Sequence, residues 1–439
     1  MRGLLNSRVA ASPTKVAGCR SRRLRLLALW SLPLGWSQAA TAQTTALPMN
    51  EPDDVPGRRA LPDYDPIGYN FAGLDALPSV MFGLRADDNV FARAHSKKAD
   101  LAFVVEPRVR IQHEDGTRRL SLDGGARLSR YFNLQDQNTS EYSLEAAGAL
   151  GDESKGSLSA AFGFRREIVQ RGTAENDLLR GAPLMRGVTH GSTIGQVRFN
   201  RLQISAEVSG VRLRYDDVDT APALGPNERF RNLDRLGAQA RLAYEVSSRT
   251  SIYGSGEYKH FDYEHSPRAG DRDADNYVMT AGVRYEVSRA LLAQVGLGYR
   301  AYDFRNPALG SVQGLAVSAD LRYFPTRTLA FRGFVEQSNT INPYNLVGTV
   351  TLTNAQLKVE YEMRRSLSWI GSASFSLEDY AKVNYSGRRW ELRGGPRLRV
   401  NRWLSFDASL GVVRRTAVGA APFNSYSQVA GLLSFTLAR

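Results

Sequence analysis

The chain has 439 residues, 42% of them hydrophobic, and a formal net charge of +13, with a mean hydropathy of −0.34. That hydropathy excludes a bundle of membrane helices but not a closed barrel, whose strands show only every second residue to lipid. Nor does the charge argue for nucleic acid. Arg2, Arg8, Lys15, Arg20, Arg22, Arg23 and Arg25 fall in residues 1–42, which hold no acid, so 13 − 7 leaves +6 on the rest.

Residues 1–42 have the three parts of a secretory signal. Arg20 to Arg25 form a basic stretch, Leu24 to Trp36 an apolar one, and Ala40-Thr41-Ala42 a small-residue cleavage site. The apolar run is too short to span a bilayer well, since about 20 residues are needed. Cys19, the only cysteine, lies in this leader. The exported chain is therefore expected to hold no disulfide, thiolate metal site or thiol nucleophile. Residues 43–75 contain many Pro, Asp and Gly without a period, and read as a periplasmic linker.

From residue 76 to 439 apolar and polar residues alternate in blocks. Leu101, Phe103, Val105, Val109 and Ile111 share one face of a strand, and Glu106, Arg108, Arg110 and Gln112 the other. The pattern returns at Leu236 to Val246, Tyr277 to Val287, Leu291 to Tyr299, Leu315 to Tyr323, Leu357 to Met363, Leu404 to Val412 and Val429 to Leu437. Tight connections are expected near residues 114–116, 152–154, 200–201, 247–249, 288–289, 325–327, 364–366 and 401–402. Long polar loops are expected at 87–98, 133–139, 170–190, 216–228, 263–275, 304–312, 338–348, 378–388 and 414–425. Eight turns and nine loops make seventeen connections, hence about eighteen antiparallel strands, with sixteen as the alternative count. An even number brings both termini to the periplasmic side, with short turns below and long loops outside.

Length separates this pattern from a soluble sandwich, whose strands average about 5–6 residues. Leu101 to Gln112 alternates over twelve positions, enough to cross a membrane, which takes about 9–11 residues in a tilted strand. Tyr244, Tyr285, Tyr299, Tyr323, Tyr361, Trp369, Trp390 and Trp403 sit near strand ends, as interfacial girdles would. The fold expected is an all-β, up-and-down transmembrane barrel in the cell outer membrane. Its last strand alternates as a barrel-insertion signal should, but ends in Ala438-Arg439 instead of an aromatic residue.

Pro66-Ile67-Gly68, Leu77-Pro78-Ser79-Val80 and Asp87-Asp88-Asn89-Val90-Phe91 together resemble the start of a β-barrel porin family often found beside exopolysaccharide genes. The strand ends Gly282 to Tyr285 and Gly296 to Tyr299 are similar too. The resemblance covers about residues 65–439. It implies an outer-membrane barrel, in some members linked to export of a surface polysaccharide.

The sequence offers little catalytic chemistry. His95, His113, His190, His260 and His265 show no metal-ligand spacing, and there is no Gly-x-Ser-x-Gly elbow or P-loop. His260 and His265 with Asp262 and Glu264 read better as a polar extracellular loop than as a rim active site. Asp271 to Asn276 lacks the glycine and distant glutamate of a calcium loop. The expectation is no enzyme, no cofactor and no metal.

The lumen carries the functional expectation. Predicted inward arginines are Arg108, Arg110, Arg127, Arg212, Arg214, Arg235, Arg241, Arg284, Arg300, Arg322, Arg332, Arg393, Arg397 and Arg399. Predicted inward acids are Glu106, Asp123, Glu207, Glu257, Glu286, Asp320, Glu336, Glu360, Glu362 and Glu391. Many of these would pair and brace the wall. As pore-lining residues the sequence nominates Arg108, Arg110, Arg393, Arg397 and Arg399, with a constriction where closure brings the two groups near each other. The longest loop, 170–190, is the one expected to fold inward. The reading is a porin-like channel, serving exopolysaccharide secretion or the uptake of small anionic solutes; a non-conducting structural or adhesive barrel is the alternative. Expected partners are outer-membrane lipid and lipopolysaccharide, the barrel assembly machinery, and a polysaccharide or small anionic solute as cargo, with no nucleic acid.

Overall fold

The structure is a computed structural model. It describes residues 54–152, 154–176, 181–217, 229–264, 271–341, 349–380, 385–419 and 425–439. The expected leader and the start of the expected linker lie outside these residues. The strands are β1 (Tyr69–Phe71), β2 (Leu74–Asp87), β3 (Asp100–Asp115), β4 (Arg118–Tyr131), β5 (Thr139–Asp152), β6 (Gly156–Ile168), β7 (Met185–Phe199), β8 (Leu202–Tyr215), β9 (Leu233–Glu245) and β10 (Thr250–Tyr263). They continue as β11 (Ala274–Ser288), β12 (Leu291–Phe304), β13 (Ser311–Thr326), β14 (Leu329–Ile341), β15 (Thr349–Arg364), β16 (Leu367–Tyr380), β17 (Tyr385–Arg399), β18 (Leu404–Gly419) and β19 (Tyr426–Ala438).

Each strand pairs antiparallel with the next, and β19 returns to β2 from Ala430↔Asp87 to Ala438↔Ser79. The ring is an 18-strand barrel; β1 adds a short hairpin on the foot of β2. Closure follows from the solvent. Hydrocarbon offers no partner to a free N–H or C=O, so a spanning sheet cannot leave an edge. At the seam Phe435 stacks on Phe82 with centroids 5.3 Å apart, and the Arg439 amide donates to the Pro78 carbonyl at 3.1 Å.

The eight expected tight turns all join strands, and two need a left-handed residue: Gly116 (φ 51) and Asn200 (φ 52). Glycine and asparagine adopt this conformation at least cost. The opposite strand ends carry the nine longer connections, of which 342–348 and 381–384 lie outside the described residues. Several are shorter than expected, because strands of 13 to 16 residues outrun the membrane and continue as wall above it.

Alternation now has a physical meaning. Met279 is 68% exposed, Leu236 66% and Leu433 65%, while Arg186, Arg231 and Arg415 are among the largest fully buried side chains. That inversion is stable only if the outer face meets lipid instead of water. Tyr244, Tyr285, Tyr323, Tyr361, Trp369 and Trp403 are exposed near the turn end, and Tyr142, Tyr258, Tyr277, Tyr299 and Trp390 near the loop end. From Tyr277 to Tyr285 is about 27 Å along the strand. At a tilt of about 40° this covers about 21 Å of depth, close to the apolar band of a barrel.

The glycines of the Gly-x-x-Tyr strand ends have a steric cause. Inward-facing Tyr253 lies over Gly282 and Gly296; a Cβ on Gly282 would stand 2.5 Å from its ring. The Arg241 guanidinium covers that ring at 3.9 Å. Two missing side chains therefore make room for one lumenal stack.

Candidate functional site: the lumen

The loop after β6 crosses the barrel. Val169 and Leu184 anchor its two ends in a buried cluster with Val188, Val211, Leu213 and Tyr215 on the near wall. Ala174 packs with Val350, Leu352 and Tyr380 of β15 and β16. In a ring of eighteen, β6 and β15 are nine strands apart, which is half the circumference. Gly172 supports the crossing: the Tyr426 hydroxyl donates to its carbonyl at 3.0 Å, and its φ of 67° is one that glycine adopts freely. Glu175 accepts from fully buried Arg186 at 2.9 Å, and Glu167 pairs with the same guanidinium at 2.8 Å. The expectation that this loop folds inward is met.

The far wall leans in to meet it. The β13–β14 ladder stops at Ser318↔Glu336. Above that point β14 stays paired with β15, and Thr349, Val350, Thr351 and Leu352 are buried on both faces. Arg300 of β12 reaches across to Asn339 and Thr351, both at 3.3 Å. The upper lumen is thus narrowed from two sides.

β17 carries a row of charge down the wall. Period 2 puts Arg389, Glu391, Arg393, Arg397 and Arg399 on its inner face. Arg389 to Arg399 spans about 34 Å along the strand. Glu391 serves two cations, pairing with Arg389 at 2.8 Å and with Arg393. Arg397 pairs with Asp407 of β18 at 2.5 Å, and Arg399 donates to the Ser368 hydroxyl at 3.4 Å. The Arg393 Nε and Nη1 atoms are buried and make no hydrogen bond with the described residues.

Arg108 and Arg110 also face inward, but the constriction expected from them does not form. β18, β19 and β2 separate β17 from β3, so the two arginine groups share one sector of the wall and do not face each other across it. Arg108 pairs with Glu106, and Arg110 with Asp123 at 2.5 Å. The narrowing is built by the loop instead.

Arg212 and Arg214 are corrections. They share a face with Val208, which is 64% exposed, and so point outward. Both bind Asp234 at 2.8 Å at the loop end of β8 and β9. The upper end of the strand stands above the lipid, where the outer face is free to carry charge. His260 and Asp275 also form an outward pair, at 2.8 Å; His265 lies outside the described residues. Among the described residues no cluster of three or more His, Cys, Asp or Glu could hold a metal.

Several inward groups were missed. Arg415 makes a buried pair with Glu378 and donates to the Tyr380 hydroxyl at 3.1 Å; Arg186 and Arg389 are two more. Arg186, Glu378 and Arg415 fell inside expected loops because the strands were ended too early. The available signal was their parity, continued past the girdle.

Residues 61–438 match the family described as "Putative beta-barrel porin 2". The chain belongs to that family. It is a porin-like barrel of the outer membrane. Solved structures similar to it include OpdQ of Pseudomonas aeruginosa (12% identity, TM-score 0.43, covering 83% of this chain and 98% of that one). OpdK of the same organism is similar at 13% identity and TM-score 0.45, with 83% and 99% covered. A mutant of the ferric enterobactin receptor PfeA is similar at 9% identity and TM-score 0.43, with 82% and 80% covered. A comparison with curated proteins finds no match.

Proposed function

We propose that this porin-family barrel is a diffusion channel for small anionic solutes and not an enzyme. The observation that carries the reading is the arginine row of β17, which runs from the loop-crossed upper lumen to the turn end. One carboxylate, Glu391, is shared by Arg389 and Arg393, so this stretch of the wall keeps a net positive charge. Wall-mounted guanidinium groups offer a carboxylate or phosphate a series of electrostatic contacts. None of these need be strong enough to trap it.

The same row could guide an acidic polymer, which keeps exopolysaccharide export as a second reading. The crossing loop favours the smaller solute, because Ala174 touches the opposite wall and leaves no axial path of full width.

Planar-bilayer recording tests the proposal. In a salt gradient the reversal potential should show anion preference, and Arg393→Glu with Arg397→Glu should move it toward cations. An unchanged reversal potential would remove those residues from the pathway. Silence at every voltage would sink the channel reading.

A further inference from the structure

The segment Asp54 to Asp65, expected as part of a linker, lies against the barrel. Val55 is 2% exposed and shares a buried cluster with Leu292, Phe324 and Ala330, which are inward residues near the periplasmic ends of β12, β13 and β14. Asp54 pairs with Arg327 in the β13–β14 turn at 3.1 Å, and Arg59 with Glu362 of β15 at 3.1 Å. Arg332 donates to the Pro56 carbonyl at 3.1 Å. Arg402, in the β17–β18 turn, donates to the Pro62 carbonyl at 2.7 Å. The contacts therefore follow the inner rim of the periplasmic mouth from β12 to β18.

The segment also satisfies its own backbone. The Arg58 and Arg59 amides donate to the Val55 carbonyl at 3.1 and 3.0 Å; those of Tyr64 and Asp65 donate to Leu61 at 2.8 and 2.7 Å. The Asp65 carboxylate closes the second turn on the Leu61 amide at 2.7 Å. Gly57 has φ 81°, and a Cβ there would stand 2.6 Å from Glu360. A tether would need none of this: an apolar anchor, two closed turns, a glycine fitted to the wall and ion pairs at Asp54 and Arg59.

We propose that residues 54–65 are a resident strap that narrows the periplasmic mouth and forms a second constriction, below the one made by the loop after β6. The seating of the strap does not depend on the channel reading; its effect on flow rests on it. The strap carries Asp54, Asp63 and Asp65 against Arg58 and Arg59, a net charge of 2 − 3 = −1, so its removal should both widen the mouth and leave it more positive by one charge.

The test uses the full chain with Cys19→Ser, reconstituted with and without deletion of residues 54–65. A thiol is placed under the strap by Ala330→Cys, and in a second variant by Leu292→Cys. A membrane-impermeant charged maleimide should label both positions about ten-fold faster in the deleted chain, as protection is lost with local cover. In bilayers the deletion should raise single-channel conductance and increase anion preference. Equal labelling at both positions overturns the strap. Faster labelling with unchanged conductance overturns the second constriction. Failure of both chains to conduct counts against the channel reading, and the labelling then still decides whether the strap is seated.

Discussion

At the scale of single residues, the upper lumen holds charge where solvent is scarce. Arg415 and Glu378 are both almost fully buried. Removing one partner strands the other, at a cost of about 3–5 kcal/mol. Glu378→Ala should therefore destabilise the barrel by roughly that amount in denaturant unfolding from lipid vesicles. Glu378→Leu with Arg415→Leu should recover most of the loss, since an apolar pair of similar size asks for no compensation. A double variant as weak as the single one would mean the pair contributes something packing cannot replace. The arginines of β17 were legible from parity alone: Arg393, Arg397 and Arg399 face inward as alternation requires. Arg212 and Arg214 were not, because parity says which residues share a face and not where the lipid ends.

At the scale of elements, the loop after β6 decides the bore. Its length suggested that it folds inward, and Ala174 against Val350 and Leu352 shows how far. Replacing residues 171–181 with a short glycine–serine turn should raise single-channel conductance and weaken discrimination by solute size. A conductance equal to the parent's would place the narrowest point elsewhere, the periplasmic strap being the next candidate. Neither target of the loop could be read from its own composition. The contact joins residues 174 and 350, and what brings them together is the count of strands between them. The strap was hidden for a related reason. Pro, Asp and Gly without period describe a free linker and a segment moulded to a wall equally well, and only Val55, Gly57 and Arg59 seated in the mouth separate the two.

For the whole molecule, the lipid-facing and lumenal sides should respond oppositely to the same substitution. Leu297 is 54% exposed on the outer face, between the aromatic girdles. Leu297→Arg should cost about 2–4 kcal/mol, as a cation at mid-membrane depth does. Ser143, on the inner face of β5 between Glu141 and Glu145, should accept Ser143→Arg nearly without loss. Folding titrations in lipid vesicles compare the two; equal costs would contradict the assigned faces. Strand number, turn positions, handed alternation and girdles were all set by the sequence itself, because each is a local property: a period of two, a turn residue, an aromatic ring at the right step. The crossing loop, the inward lean of β14 and β15 and the seated strap were decided only by the tertiary structure. They depend on which residues meet around a ring, and one strand carries no record of its neighbour nine places away.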